Sequence, residues 1–564
     1  MYITSVPNRN SPPAILIRES YREGGKVKTR TIANITHWPP ETIEAIRLSL
    51  KGKAYKNEGV FIIERSVPHG HVAAVLSTIK KIGLDRIIAT KPSRERNLVL
   101  AMIAERLIHP ASKLATTRLW HDVTLAGELG VEDADEDDLY SAMDWLYQRQ
   151  NKIEEKLAAK HLKEGSHAFY DVTSSYYEGK TCPLAEFGYN RDGKRGKPII
   201  VYGILCDDDG RPIAVNVYPG NTGDPSTVPD QVDKLRSRFG LNSVVLVGDR
   251  GMLTDTRIEN LREYPGIGWI SSLSFRGVRS LVNSGYLQLS LFDRKNLAEI
   301  KSADYPGERL IVCYNPLQAE HRRRKRDALL EATEKELEKI SRQVSRRTRT
   351  PMSQVEIAEK VGAVINRYKM KKHFRMRIGD GVFSFERDEE SIRAEYDLDG
   401  IYVIRTSEPE ERLSAADAVR GYKNLTKIEK LFRTLKGIDI KVRPIRHRDE
   451  VRVRTHIFIC MLAYYVEWHM RQALAPLLFD DEELAENRKS RNPVAKAEAS
   501  LSARRKKGRL KTEDGLEVQS FNTLMTHLGT MCKNRCRANE GSPCFHVLTK
   551  ETPLQRRVFD LLQL

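Results

Sequence analysis

Two aspartates in apolar, strand-like segments are the first residues of this sequence that could carry chemistry. Asp171 lies inside the segment AFYDV, and Asp249 ends the segment VVLVGD. An ionised carboxylate in or beside a buried strand costs free energy unless it is hydrogen-bonded, paired with a cation or bound to a metal. Each aspartate alone would also fit an ordinary capping or turn residue. Ligands gather at strand ends in open α/β folds, and together, on two strands of one sheet, the two aspartates predict a shared metal site.

A third carboxylate is needed to hold two divalent cations near each other, and Glu429 is the candidate. It lies on a predicted amphipathic helix, seven residues from both Tyr422 and Lys436, and this spacing predicts one shared helix face. Mg²⁺, or Mn²⁺ in its place, takes oxygen ligands, and a pair of such ions promotes phosphoryl transfer. The same spacing also fits a solvated charged helix, so it leaves both interpretations open.

The elements that must position these residues alternate between strands and helices. From residue 166 the sequence predicts three strands, a helix and a further strand that ends at Asp249. A helix that crosses to a buried apolar strand implies mixed α/β packing, with that last strand parallel and central. The predicted strands are AFYDV, PIIVYGILCD, RPIAVNVYP and NSVVLVGDR, and the helix is DPSTVPDQVDKLRSRFG.

A long segment, residues 276–414, interrupts this α/β region before the helix of Glu429. It contains a charged helix in which Leu330, Leu337 and Val344 recur at heptad spacing. Three such positions are too few for a coiled coil and favour a solvated helical arm. Polarity then alternates around Gly-Asp-Gly and Leu-Asp-Gly turns over residues 373–406, which predicts a β-meander.

The remaining regions have patterns of their own. Residues 14–37 alternate in polarity around a Gly-Gly turn, which is typical of a β-hairpin, and apolar residues then recur at helical spacing. The C-terminal region is polar and basic and predicts a flexible tail or arm. The predicted domains are a β element at 1–60, a helical DNA-binding domain at 61–163, a catalytic core at 164–275 and 415–475, an insertion at 276–414 and a basic tail at 476–564.

The charge of the chain indicates a polyanionic partner. Lys and Arg number 94 against 76 Asp and Glu, the formal net charge is +18, and the pI is about 9.4. Such a field attracts nucleic acid and gains affinity by counterion release, although an ordinary basic protein would show the same balance. Mean hydropathy is −0.49 and no apolar run reaches about 18 residues, which excludes a membrane-spanning protein. Since MYITSVPNRNSPP shows no export-signal pattern, we expect a cytoplasmic, nucleoid-associated protein.

Seven scattered cysteines are typical of reduced thiols in a cytosol rather than of a disulfide framework. Only Cys532, Cys536, Cys544 and His546 lie close enough in sequence to suggest a metal. Zinc ligands usually come in tighter pairs, so unrelated thiols are the favoured interpretation and a zinc site is the alternative.

Four motifs in this order resemble those of a known family. They are YDVTSSYYEG, GKPIIVYGILCDDDGRPIAVNVYPGNTGD, GDRGM and YKNLTKIEKLFRTLKG. They are similar to motifs of transposases of the IS4-like DDE superfamily, and most of all to the IS1634-type family. The resemblance covers most of the chain, up to the helix that ends near Leu474. It implies an α/β fold with an RNase H-like catalytic core, interrupted by a mixed α/β insertion and preceded by an N-terminal β-hairpin and a helical domain.

The resemblance also implies roles for single residues. Asp171, Asp249 and Glu429 would be the catalytic residues and the ligands of two Mg²⁺ or Mn²⁺ ions. Tyr422 and Lys436 would hold DNA phosphates beside Glu429.

One position of the third motif departs from the family signature, which runs Tyr, two residues, Arg, three residues, Glu, six residues, Lys. Leu425 stands where the Arg is expected, and this removes one phosphate contact. Arg433, one helical turn past Glu429, is a candidate substitute. Arg250 is a weaker candidate for DNA contact, because the residue after a turn aspartate often faces solvent.

The implied activity is metal-dependent cleavage of double-stranded DNA at transposon ends, followed by strand transfer into target DNA. Because two ends must be cut together, we expect a homodimer in the synaptic complex. The helical region 81–160 and the basic tail would contact the end DNA, mostly through phosphates. Two alternatives stay open. One is a nuclease of the same fold without strand transfer, and the other is a noncatalytic DNA-binding regulator descended from a transposase.

Overall fold

The computed structural model divides the chain into two compact units. The smaller unit comprises residues 1–66 and 533–549, and the larger comprises residues 67–532 and 550–564. No helix among the described residues is both long enough and apolar enough to cross a membrane. The described residues are 1–9, 12–51, 61–293, 296–484, 486–487, 491–495, 498–538 and 542–564.

The smaller unit begins with a three-stranded antiparallel sheet of β1 (Tyr2–Val6), β2 (Ala14–Glu23) and β3 (Lys26–Asn34). Strands β2 and β3 confirm the predicted hairpin. Gly24 and Gly25 at its turn have φ of 57° and 79°, the left-handed conformation that a two-residue type I′ turn requires. The further elements of this part of the chain are helix α1 (Pro40–Leu50) and a second sheet, in the order β16-β15-β4, of β4 (Ile62–Pro68), β15 (Cys532–Arg537) and β16 (Cys544–Leu548).

Seven helices follow in residues 70–161, which the structure describes completely, as the apolar spacing predicts. Helices α4 and α7 pack against each other and against α17 (Glu450–Leu474), whose middle is fully buried. The helical region therefore shares its core with the elements that carry the candidate site. The seven helices are α2 (Gly70–Lys81), α3 (Leu84–Ile88), α4 (Arg94–Ile108), α5 (Lys113–Leu119), α6 (Leu125–Leu129), α7 (Glu136–Tyr147) and α8 (Gln150–His161).

An eight-stranded mixed sheet forms the centre of the larger unit, with strand order β10-β11-β14-β9-β8-β5-β6-β7. Strands β5, β8 and β9 are parallel, and the other pairings are antiparallel. The short strand β8 is buried along its length, so the predicted central parallel strand is confirmed. The strands are β5 (His167–Tyr176), β6 (Ile199–Cys206), β7 (Pro212–Pro219), β8 (Val244–Val247), β9 (Ile267–Ser272), β10 (Leu297–Ile300), β11 (Arg309–Tyr314) and β14 (Ile401–Thr406).

Helical crossovers connect the parallel strands. The segment before β8 forms α9 (Val228–Asp233) and a further turn of helix, and it ends at Gly240, whose φ of 68° only glycine adopts readily. Helix α10 (Asp255–Arg262) joins β8 to β9. Both crossovers therefore return the chain to the same edge, so β8 ends beside the middle of β5.

The prediction that the heptad helix of residues 276–414 forms a solvated arm is wrong. Helix α12 (Pro316–Arg346) buries Leu330, Leu337 and Val344, which are 1%, 0% and 4% exposed. Their partners come from α13 (Gln354–Tyr368) and from the hairpin of β12 (Phe374–Gly379) and β13 (Val382–Arg387). The heptad residues thus form the core of a small subdomain instead of a solvated surface.

The predicted β-meander is also only partly right. Strands β12 and β13 form an antiparallel hairpin, but helix α14 (Glu389–Tyr396) follows them. The next strand, β14, leaves this hairpin and pairs with β9 and β11 in the main sheet. Residues 276–414 therefore supply three strands to the sheet that carries Asp171, and helix α11 (Phe275–Asn283) lies at the start of this segment.

The predicted flexible tail is structured in its described part. Helix α18 (Leu501–Arg509) is basic, and helices α19 (Phe521–Gly529) and α20 (Pro553–Leu562) pack on α2 and α17. Their apolar side chains enter the main core, which explains why this region is not a solvated arm. Those buried side chains include Phe521, Leu524, Leu528, Val558 and Leu562.

Candidate active site

Asp171 lies in the middle of β5, and Asp249 lies just beyond the end of the neighbouring parallel strand β8. The register pairs Phe169 with Val247, so Asp171, two residues further along β5, corresponds to Asp249 just beyond β8. Adjacent strands are about 4.8 Å apart, and residues two apart on a strand point to the same face. The structure therefore brings these two predicted site residues together.

The carboxyl group of Asp171 is partly buried and only weakly compensated. Its Oδ1 accepts a hydrogen bond of 2.7 Å from the Val172 amide. Burial raises the pKa of Asp171 from 3.8 to about 7, the Asp249 carboxylate adds to the rise, and Arg191 opposes it. A cation beside this carboxyl would favour its ionised form.

Asp249 is held by a compact turn. Its Oδ1 accepts a hydrogen bond of 2.9 Å from the Met252 amide, and its backbone carbonyl accepts from the amides of Met252 and Leu253. Met252 and Leu253 are buried, whereas Asp249 and the following Arg250 are exposed. The turn thus anchors itself in the core and presents the carboxylate at the surface.

Glu429 lies on α16 (Leu425–Lys436), which packs against β5. The buried face of this helix carries Ile428, Leu431 and Leu435, and Glu429 is on the exposed side. Within the described residues no three His, Cys, Asp or Glu side chains are assembled to hold a metal ion. The structure therefore joins the two aspartates and does not bring the Glu429 carboxylate into one cluster with them.

Tyr422 lies between the aspartate pair and Glu429. Its hydroxyl is 2.7 Å from the Ser272 hydroxyl at the end of β9. Burial raises the pKa of Tyr422, the carboxylates of Asp249 and Glu429 raise it further, and Ser272 and Arg250 oppose the rise. Tyr422 is therefore within electrostatic range of both carboxylates.

The helix predicted to carry Tyr422, Glu429 and Lys436 on one face is interrupted. Tyr422 belongs to α15 (Ala415–Lys423), Glu429 and Lys436 belong to α16, and Asn424 separates the two helices. The seven-residue spacing from Tyr422 to Glu429 consequently does not describe one regular helix face.

Lys436 already has an acidic partner that the sequence did not reveal. Its Nζ is 3.0 Å from Oδ1 of Asp192, whose side chain is 1% exposed. Arg443 binds the same oxygen at 2.5 Å, and the Tyr176 amide donates to Oδ2 at 3.0 Å. Burial lowers the pKa of Lys436, which Asp192 offsets. Lys436 thus fixes the loop of Asp192 to α16.

Arg191 and Asp224 are two further neighbours of the site that the sequence analysis missed. Their side chains form a salt bridge, and Arg191 lowers while Asp224 raises the pKa of Asp171. Arg191 lies in an Asn-Arg-Asp-Gly turn motif among basic residues, which alone is typical of a loop, and Asp224 is the last residue of the second family motif, where no role was predicted for it. Arg433, in contrast, is exposed on α16, as a DNA contact would require.

The cysteine cluster is not arranged as one metal site. Register in the β15–β16 pair places Cys536 opposite Phe545 and Cys544 opposite Arg537. Alternation along the strands therefore puts Cys532 and Cys536 on one face, and Cys544 and His546 on the other. This geometry argues against a shared zinc ion.

Comparison with known proteins identifies the family. The family described as Transposase DDE domain matches residues 163–466, more than half of the chain. The chain belongs to the DDE transposases. The IS1634 family transposase N-terminal domain matches residues 3–63, so the transposase is of the IS1634 type, as the motifs predicted.

One structural relative of this transposase is a piggyBac transposase synaptic complex with hairpin DNA, determined by cryo-EM. It is similar over 81% of this chain and 76% of that chain, with 10% sequence identity and a TM-score of 0.34. No curated protein matches the transposase significantly.

Proposed function

We propose that this transposase cleaves double-stranded DNA at the ends of its element and transfers the cleaved strands to target DNA. The proposed catalytic residues are Asp171, Asp249 and Glu429. The observation that carries the proposal is that the neighbouring strands β5 and β8 bring Asp171 and Asp249 together, so that the Asp249 carboxylate adds to the raised pKa of Asp171. The family match supports the class of reaction.

We further propose that strands β5–β9 form an RNase H-like catalytic core. Their order is β7-β6-β5-β8-β9, with three antiparallel strands followed by two strands parallel to β5, which supports this assignment. Residues 276–414 would then be the insertion before the third carboxylate.

The donor chemistry of Asp171 and Asp249 fits Mg²⁺ or Mn²⁺, because carboxylate oxygens are the ligands that these hard cations prefer. Two bound ions would supply activation of the attacking oxygen and stabilisation of the leaving oxygen in phosphoryl transfer. Asp171 and Asp249 would hold them, and Glu429 would add the third carboxylate. The raised pKa of Asp171 supports a cation-binding role, since an uncompensated carboxyl at that position is costly.

Arg250 and Arg433, two exposed cations beside these carboxylates, would contact DNA phosphates. Tyr422 would orient DNA through its hydroxyl, which lies in the field of Asp249 and Glu429. Lys436 would contact DNA only by exchanging its present partner, Asp192. The helical region 61–163 and the basic C-terminal residues would bind end DNA in a homodimeric synaptic complex.

The test is joining of oligonucleotides that carry the ends of the element to a supercoiled plasmid, with and without Mg²⁺. Joined product supports a transposase, cleavage alone a nuclease, and binding alone a noncatalytic regulator. Asp249→Asn should abolish cleavage and joining while DNA binding stays nearly intact, because the side chain is exposed and its shape is kept. Mg²⁺-dependent cleavage by this variant would contradict the site assignment.

A further inference from the structure

Two aromatic side chains stand in solvent next to the candidate active site. Tyr189 is 79% exposed and Phe187 is 69% exposed, the two highest values for aromatic residues in the described part of the chain. Single exposed apolar residues are common, but an adjacent pair of exposed rings is typical of a binding surface. Tyr and Phe rings offer flat faces that suit other flat molecules.

The backbone that carries these rings is held in place. Gly188 between them packs so closely on Gly220 that a Cβ atom would lie 2.0 Å from the Gly220 carbonyl oxygen. The Ser174 hydroxyl donates to the Tyr189 carbonyl at 3.2 Å and accepts from the Arg191 amide at 3.2 Å. The rings thus project from a fixed segment, so little conformational entropy would be lost when they bind a partner.

The same contacts connect the rings to the catalytic strand. Ser174 lies on β5, three residues after Asp171. The Arg191 guanidinium is 5.4 Å from the centre of the Tyr189 ring, and its charge lowers the pKa of Asp171. A molecule stacked on Tyr189 would therefore lie near the carboxylates.

Exposed cations follow the rings along the chain. Lys194 and Arg195 are exposed, whereas Lys197 lies 4.0 Å from Glu178 and the exposed Glu186 precedes Phe187. Aromatic rings interleaved with exposed cations are the combination that binds single-stranded nucleic acid, since bases stack on the rings while phosphates meet the cations.

We propose that Phe187 and Tyr189 form a stacking platform for unpaired nucleobases of the DNA strand that enters the active site. This inference rests on the proposed function for its location and deepens it by naming the form of DNA. Paired bases inside a duplex hide their faces from a side chain, whereas bases of a single-stranded tail expose them. The platform therefore discriminates DNA with unpaired nucleotides from fully paired DNA.

The experiment measures binding without catalysis. Fluorescence anisotropy in EDTA compares a blunt duplex with the same duplex extended by a short single-stranded thymidine tail. The wild-type protein should prefer the tailed duplex, and Phe187→Ala and Tyr189→Ala should each reduce that preference by about 5- to 150-fold, the range that about 1–3 kcal/mol of stacking per base gives. Tyr189→Trp should retain the preference. Tyr286→Ala, which removes another exposed ring, is the control and should leave the preference unchanged.

Equal preference in the wild type and the double alanine variant would overturn the proposal. If the alanine variants instead lose self-association in sedimentation without a change in the tail preference, the rings are an interface between copies and the proposal is wrong. Because no metal is present, the result is independent of cleavage. If the wild type prefers the tailed duplex but does not cleave DNA, the proposed function is wrong and the platform is not contradicted. If the wild type cleaves DNA but shows no preference for the tailed duplex, the platform is wrong and the proposed function is not contradicted.

Discussion

Replacement of Asp171 by asparagine is expected to stabilise the metal-free protein at neutral and alkaline pH while it abolishes cleavage. Asparagine keeps an oxygen for the hydrogen bond from the Val172 amide but carries no charge. Burial raises the pKa of Asp171 in the folded state to about 7, so the folded protein binds this proton more tightly than the unfolded chain does. The ionised carboxylate therefore lowers the free energy of unfolding. This loss is negligible below pH 4, grows between pH 4 and pH 7, and stays constant above pH 7.

The size of the effect follows from the pKa. A rise from 3.8 to about 7 corresponds to at most about 4 kcal/mol, at about 1.4 kcal/mol for each pKa unit. Asp171 is only partly buried, and solvent screening reduces this to about 2 kcal/mol. For a unit of this size we expect the melting temperature to rise by about 2 °C at pH 8 and to stay unchanged at pH 4.

Thermal unfolding in EDTA at pH 4, 6 and 8 measures this change. Asp249→Asn is the matched control, because it also removes a site carboxylate but from an exposed turn, and its gain should be smaller. Addition of Mg²⁺ should stabilise the wild type more than the Asp171→Asn variant. An Asp171→Asn protein that melts at the wild-type temperature at pH 8 would refute the reasoning.

Three further changes test other parts of the molecule. Asp192→Asn leaves Lys436 and Arg443 without a buried anion, so scanning fluorimetry should show a loss of about 3–5 kcal/mol of stability; an unchanged melting temperature would contradict this. Leu337→Ala should destabilise the insertion by about 2–5 kcal/mol and speed hydrogen exchange in α12 and α13, with slow exchange kept in β5. Tyr422→Phe removes a hydrogen bond of about 1 kcal/mol, so cleavage should slow about fivefold with little change in melting temperature, and a wild-type rate would exclude a role for the hydroxyl.

The central strands and the two aspartates could be predicted because their signals are local. A run such as VVLV bounded by Gly and Asp is apolar enough to be a buried strand, and strands β5 to β8 lie where the sequence indicates. A carboxylate inside such a run or at its end is unusual, so Asp171 and Asp249 stand out without knowledge of the fold. Glu429 has no such signal, because a charged residue on an exposed helix face is ordinary.

The parts that could not be predicted depend on partners distant in sequence. The apolar residues of α12 were correctly located, but their burial depends on α13 and on a hairpin, and heptad spacing alone does not reveal these partners. Asp192 looks like a turn residue because its partners, Lys436 and Arg443, lie on the far side of the insertion. The basic composition of the C-terminal region likewise masked the few apolar residues with which α19 and α20 enter the core.

The way the chain enters and leaves the α12–α14 subdomain has a consequence for how this protein can be altered. Tyr314 at the end of β11 pairs with Ile401 at the start of β14, and the Asn315 amide donates to the Gly400 carbonyl at 2.9 Å. The two crossing points are thus already as close as the ends of a tight hairpin, and the subdomain between them has its own core. Residues 316–397 could therefore be replaced by a short turn that closes β11 onto β14 and leaves the sheet complete, provided that Leu398 stays in the core it shares with Leu310 and Val403. A cut that also removed β14 would leave β9 with an unpaired edge.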